Sequence, residues 1–139
     1  MVFRQAGAIP YRKTNSATEV LIISTSSGKN WTIPKGIIDP GFSATETVMN
    51  EALEEAGIEG RILKPSIGDY RFAKWGGLCE VEVFVMAVTR ELEHWPEDYF
   101  RQRVWMDVEQ AARQVKHAAL GALILKLDGY LDHNQTVTD

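Results

Sequence analysis

The chain is 139 residues long, 45% apolar and 24% charged, with 5 Pro, 11 Gly and a net charge of −4. That is one domain's worth on the usual scale of ~100–200 residues per domain, and the composition excludes disordered and collagen-like classes. A single cysteine, Cys79, rules out an intramolecular disulfide and a Cys-rich zinc site, and the acidic balance gives no support for a nucleic-acid-binding surface.

The N-terminal residues Met1 to Gln5 lack the apolar core of a signal peptide, and the longest apolar stretch, Ala118 to Leu125, falls far short of the ~20 residues a membrane-spanning helix needs. The expectation is a soluble, cytoplasmic protein with no membrane partner.

The first quarter reads as strands. Ala6 to Tyr11 and Val20 to Ser24 are short β-leaning runs on either side of the polar break at Lys13 to Ser16. A loop at Ser26 to Asn30 precedes the brief run Trp31 to Pro34, and Asp39-Pro40-Gly41 marks a turn.

A helix over about 44–56 is expected next. Ser43-Ala44-Thr45-Glu46 has the form of a capping box, in which serine and glutamate satisfy each other's backbone N–H groups. Ala44, Val48, Ala52 and Ala56 recur every four residues as a buried stripe, and Gly57 falls where a left-handed cap would end the helix.

Two strands, around 67–75 and 78–88, are expected to join through a two-residue turn at Gly76-Gly77. His94 to Asp98 reads as a loop and Val104 to Met106 as a last strand. Asp107 caps a helix to about Lys116, and Ala118 to Leu131 carries a further helical pattern. No repeat or linker interrupts the chain, so residues 1–139 are read as one α/β domain.

The informative segment is Glu46 to Glu59, with five glutamates and no Lys or Arg. Glu51, Glu54 and Glu55 stand three and four apart and so share one helix face, a spacing that destabilises a helix by a few tenths of a kcal/mol per like-charged pair. Two of them also sit in the last turn, where the helix dipole prefers cations. An ion would supply the missing charge, and carboxylate oxygens select Mg²⁺ or Mn²⁺, with Ca²⁺ a further candidate. The plain alternative is an acidic, solvated helix face with no ligand.

These residues resemble the Nudix box. Gly36, Glu51, Glu54, Glu55, Gly57 and Ile58 fall at six of the nine positions the family pattern specifies. Phe42 stands where the family has its first glutamate, Asn50 where it has arginine, and Ala52 where a larger aliphatic is usual. In the family that Glu and Arg brace the loop against the helix, and Phe42 is a candidate apolar staple in their place. The resemblance implies an α/β/α sandwich with a mixed sheet. It also implies metal-dependent hydrolysis of a phosphoanhydride in a nucleoside-diphosphate-linked substrate.

By the same resemblance Glu51, Glu54 and Glu55 are the catalytic and metal-binding candidates, with the Gly36 carbonyl completing the shell and the identity of the base left open. Lys35 either meets a substrate phosphate or is a solvated loop lysine. Arg101 and Arg103 are candidates for polyphosphate contact, set against solvated surface arginines.

The C-terminal half looks like the diphosphoinositol and diadenosine polyphosphate phosphohydrolases. A dinucleoside polyphosphate or related nucleotide is the preferred expectation, because Cys79-Glu80 stands where inositol-directed relatives show basic residues. A nucleotide-binding or sensor protein with little turnover is the rival, favoured by Phe42 and Asn50. His94, His117 and His133 show no ligand spacing and read as surface or structural; Cys79 reads as a strand packing residue.

Overall fold

The computed structural model describes residues 1–138, the side chains among them to residue 134. Seven strands form one mixed sheet: β1 (Val2–Thr14), β2 (Ala17–Ser24), β3 (Trp31–Thr32), β4 (Lys35–Ile37), β5 (Ile58–Lys74), β6 (Gly77–Glu91) and β7 (Arg103–Asp107). The main path runs β3-β2-β1-β6-β5, with β4 paired to β1 and β7 to β2. β1 and β6 are parallel neighbours at the centre, with Val2 opposite Leu78 and Tyr11 opposite Ala87. The other pairings are antiparallel, so the sheet is mixed.

Helix α1 (Ala44–Glu51) covers one face and α2 (Val108–Gln114), α3 (Ala118–Leu125) and α4 (Leu127–Thr138) the other. Alternation along the strands feeds two cores. Ala6, Ala8, Leu21, Ile23, Phe84 and Met86 meet Val48, Ala52 and Ala56 on the first face. Ile9, Val20, Ile22, Val81, Val83 and Val85 meet Ala111, Leu120, Ile124 and Leu127 on the second. This is the α/β/α sandwich the sequence led us to expect. Among the described residues no helix is long and apolar enough to cross a membrane.

The capping box is formed: Glu46 N–H donates to Ser43 Oγ at 3.1 Å and Ser43 N–H to Glu46 Oε1 at 2.9 Å. The expected α-helix over 44–56 is corrected in its second half. The α-helix ends at Glu51, and Ala52–Ala56 continues as a π-helical turn closed by Gly57 at φ 66°. Its wider turn keeps Ala52 and Ala56 buried, so the apolar spacing alone does not distinguish it from an α-helix.

Three smaller corrections follow. β5 starts at Ile58, not near Ile67, because register shifts after Glu59 and Leu63 absorb Gly60, Pro65 and Gly68 without ending the strand. The hairpin turn is Trp75-Gly76, both at positive φ, and Gly77 already pairs with Lys74. Trp75 therefore leaves the strand. The apolar pattern from Ala118 to Leu131 is divided between α3 and α4 at Lys126.

Candidate active site

The site is assembled where β4 meets the acidic turn. β4 lies so close on β1 that a Cβ at Gly7 would approach Lys35 Cβ and the Pro34 carbonyl to 2.9 Å. This places Lys35 and Gly36 against the helix. Lys35 N–H donates to Glu55 Oε1 at 3.1 Å, so Glu55 itself ties the loop to the helix. Phe42 is 50% exposed and belongs to neither core, so it is not the staple expected of it, and Asn50 is exposed.

A cleft of about 380 Å³ brings together Lys35, Gly36, Glu51, Glu54, Glu55 and Arg101. Sequence reasoning missed a seventh member. Glu97 lines the same cleft from the loop before β7, and its backbone N–H donates to the Glu54 carbonyl at 3.1 Å. The only sequence signal was a carboxylate four residues before Arg101, inside a segment read as connecting loop.

Arg101 corrects the expectation that the acidic cluster has no cation nearby. Its side chain is 11% exposed; Nη2 lies 3.4 Å from Glu55 Oε2, Nε 2.8 Å from Glu97 Oε1, and Nη1 donates to the Ser24 carbonyl at 2.9 Å. Arg103, the other arginine read as a candidate for polyphosphate contact, is not part of the lining of this cleft. It donates to the carbonyls of Ala56 at 2.9 Å, Gly57 at 3.3 Å and Leu92, and lies 3.9 Å over the Trp95 ring. Those bonds hold it against the end of the acidic turn.

The same loop meets the other exposed carbonyls of the acidic turn. Trp95 Nε1 donates to Glu55 at 3.0 Å and Leu92 N–H to Gly57 at 2.8 Å. The C-terminal carbonyls that a helix leaves unpaired are thus met, and Arg103 supplies the cation the dipole prefers. The acidic turn is stable there because residues far along the chain complete it.

Burial and neighbouring charge raise two of the cleft's carboxylates. Glu51 is pushed up to about 8, first by desolvation, then by the Glu55 charge and a hydrogen bond with Glu55, with Glu54 and Glu97 adding to it. Desolvation also raises Glu55, opposed by Arg101 and the Lys35 backbone N–H. Burial lowers Lys35, with Glu55 opposing. Such mutually perturbed groups in a cleft are what a polar catalytic site requires.

The residues fit a hard divalent cation. Gly36 leaves the space that Glu51 fills, since a Cβ there would fall within its carboxyl group. Gln5, 5% exposed, lines the cleft, and its Oε1 is buried without a hydrogen-bond partner. Among the described residues no three of His, Cys, Asp or Glu make a group that could hold a metal ion by themselves. Mg²⁺ does not need one, because it keeps waters and shares its shell with substrate phosphates.

Of the histidines, His94 and His133 are exposed and His117 stacks on Phe72 at 4.6 Å. Cys79 is fully buried in β6.

Residues 2–126 match the family model described as NUDIX domain. Nudix hydrolase 16, mitochondrial, of Arabidopsis thaliana is 35% identical, over 81% of this chain and 72% of its own length. Nudix hydrolase 18, mitochondrial, of the same plant is 39% identical, over 76% of this chain and 64% of its own. The chain thus spans roughly two-thirds of these plant relatives. The asymmetrical bis(5′-nucleosyl)-tetraphosphatase of Caenorhabditis elegans is 27% identical over 94% of this chain and 98% of its own length. A crystal structure of C. elegans Ap4A hydrolase superposes with a TM-score of 0.78 at 25% identity, covering 94% of this chain and 99% of that one.

Proposed function

The chain belongs to the NUDIX family, whose hydrolases act on pyrophosphate bonds, and from that premise we propose that its cleft cleaves a phosphoanhydride in a nucleotide substrate with Mg²⁺ or Mn²⁺. The observation that carries this reading is the Glu51–Glu55 carboxyl pair, gathered with Glu54 and Glu97 in one cleft against a single arginine.

Glu51, Glu54 and Glu55 are the residues that would hold the cation, with the Gly36 backbone beside them. A bound divalent ion neutralises charge on the phosphoryl oxygens and lowers the pKa of attacking water. Glu51 or Glu55 accepts the proton; burial raises both carboxyls above the usual carboxylate range, which strengthens them as bases. Arg101 holds Glu55 in place while facing the cleft. The Lys35 side chain lines the cleft beside the carboxylates, where an ammonium meets a phosphate as a point charge.

Within that chemistry, a dinucleoside polyphosphate is the preferred substrate class, supported by the likeness to a chain named as a tetraphosphatase over nearly its whole length. The rival reading, a nucleotide-binding protein with little turnover, draws on the exposed Phe42 and Asn50 at two box positions. A panel of dinucleoside polyphosphates, sugar nucleotides, oxidised nucleoside triphosphates and diphosphoinositol phosphates, followed by chromatography with Mg²⁺ or Mn²⁺, separates the two. Metal-dependent product from any of them supports the enzyme; tight nucleotide binding with no product on the whole panel supports the binding protein.

A further inference from the structure

Gln5 lies on β1 at 5% exposure, and its Oε1 is buried without a hydrogen-bond partner. An amide oxygen taken out of water with no donor to meet it lowers stability. Either the chain supplies a donor or a ligand does.

The neighbours of Gln5 in the sheet supply none. Alternation along β1 places Phe3 and Gly7 on its face, and the residues paired with it are Val81 on β6 and Ile37 on β4. No side chain among these four carries a polar hydrogen. One strand further, Tyr70 pairs with Val81, but its hydroxyl and that of Thr32 act on each other. The cations of the cleft are engaged as well. The Lys35 ammonium lies 5.3 Å from the Phe72 centroid and the Lys74 ammonium 4.7 Å from that of Trp75, while Arg101 is held by Glu55, Glu97 and the Ser24 carbonyl.

Gln5 nonetheless belongs to the lining of the carboxylate cleft, and it borders it from the side opposite α1. Ala6, the next residue, packs with α1, and Gly36, paired with Ala6, is the residue whose missing Cβ leaves room for the Glu51 carboxyl. Gln5 therefore borders a part of the cleft that a ligand reaches by extending past Glu51. A rotamer change of the kind common on binding presents its amide to a group placed there.

We infer that Gln5 is a specificity-determining residue, whose amide oxygen accepts a hydrogen bond from a hydroxyl or amino group of the bound nucleotide, outside its phosphate chain. Ionised phosphate oxygens are acceptors, so an acceptor at this place favours ligands that carry a donor beside their phosphates over inorganic polyphosphate. The inference rests on the nucleotide reading above. A ribose hydroxyl and an exocyclic base amine both supply the donor.

The test is calorimetric binding in Mg²⁺, comparing wild type with Gln5→Met, which keeps the side chain's length and removes the acceptor. The probes resist hydrolysis: α,β-methylene-ADP, and methylenediphosphonate, which has neither ribose nor base. Affinity for the nucleotide is expected to fall about tenfold in the variant, the scale of one lost hydrogen bond that leaves its donor unmet, with affinity for methylenediphosphonate unchanged. The unliganded variant should melt no lower than wild type, because an apolar group replaces an unpartnered polar one. Repeating the comparison with the 2′,3′-dideoxy nucleotide and with the purine riboside form, which lacks the amine, names the source: the difference vanishes with the probe that lacks the donor.

A difference that persists with both analogues overturns the proposal. So does equal loss for the nucleotide and methylenediphosphonate, a lower melt with unchanged nucleotide affinity, or no binding of the nucleotide by wild type. An Mn²⁺ affinity lowered by the same factor also overturns it, by giving the donor's place to a water on the cation. Binding is read without turnover, so the two readings fail separately. A chain that hydrolyses nucleotides while Gln5→Met binds them as wild type loses only the assignment of Gln5.

Discussion

Glu55 and Arg101 face each other across the cleft at 3.4 Å, both side chains nearly buried, at 13% and 11% exposure. The pair joins the acidic turn to the loop before β7 while the other Glu55 oxygen holds the Lys35 backbone. One carboxylate thereby fixes two approaches to the site and stays within reach of a cation.

Glu55→Gln is expected to lower metal-dependent turnover by at least ~100-fold, the scale for losing a metal-bound or acid–base group. The fold should survive, because an amide still accepts the Lys35 N–H and one repulsive charge is gone. Initial rates beside a thermal melt decide it: wild-type turnover in a folded variant removes Glu55 from the chemistry.

Arg101→Met leaves Glu55 and Glu97 without their shared cation. Breaking a buried pair from one side costs about 3 kcal/mol, and denaturant melts in metal-free buffer should show a loss of that order. Added Mg²⁺ should recover part of it by replacing the positive charge. A variant as stable as wild type in EDTA would show that the pair is energetically idle.

Glu51 predicts the pH dependence. Its folded pKa is raised to about 8, whereas a carboxyl in the unfolded chain titrates near 4.5. Between those values the folded state holds the extra proton, so stability from this group is present below about 4.5 and is lost as pH rises to about 8. Metal-free protein should therefore melt lower at pH 8.5 than at pH 6 (roughly the two sides of the folded titration), and Mg²⁺ uptake at pH 7 should release a proton. Calorimetry in two buffers of different ionisation enthalpy measures that release; no buffer dependence contradicts the shift.

Gly36→Ala would drive a methyl group into the space occupied by the Glu51 carboxyl. Since Glu51 is long and only half buried, the side chain should swing away with a stability change within about 1 kcal/mol. Apparent metal affinity should fall about tenfold or more, the range for disturbing a ligand's support. Metal titrations followed by activity give the answer, and unchanged affinity would show that the close approach has no bearing on the cation.

What could be read before the structure was what is written locally. Ser43, Glu46 and Gly57 mark both ends of the acidic turn with side-chain and backbone chemistry that needs no tertiary partner. The spacing of Gly36, Glu51, Glu54 and Glu55 likewise identifies the carboxylate cluster. The π-helical turn was hidden, because Ala52 and Ala56 stay buried under either winding. The first half of β5 was hidden by Gly60, Pro65 and Gly68, which act as breakers locally but are absorbed as bulges when β6 is alongside. Arg101, Arg103 and Glu97 are some fifty residues from the turn they complete, so the cluster seemed to lack a cation.

The parallel pairing of β1 with β6 has a consequence for how this protein comes into being on the ribosome. The central ladder joins residues near position 5 to residues near position 81, so the sheet cannot close until well over half the chain has emerged. Non-local closure of this kind slows folding. The carboxylates of the turn are synthesised long before Arg101 can balance them, and catalytic competence should therefore arrive late and all at once.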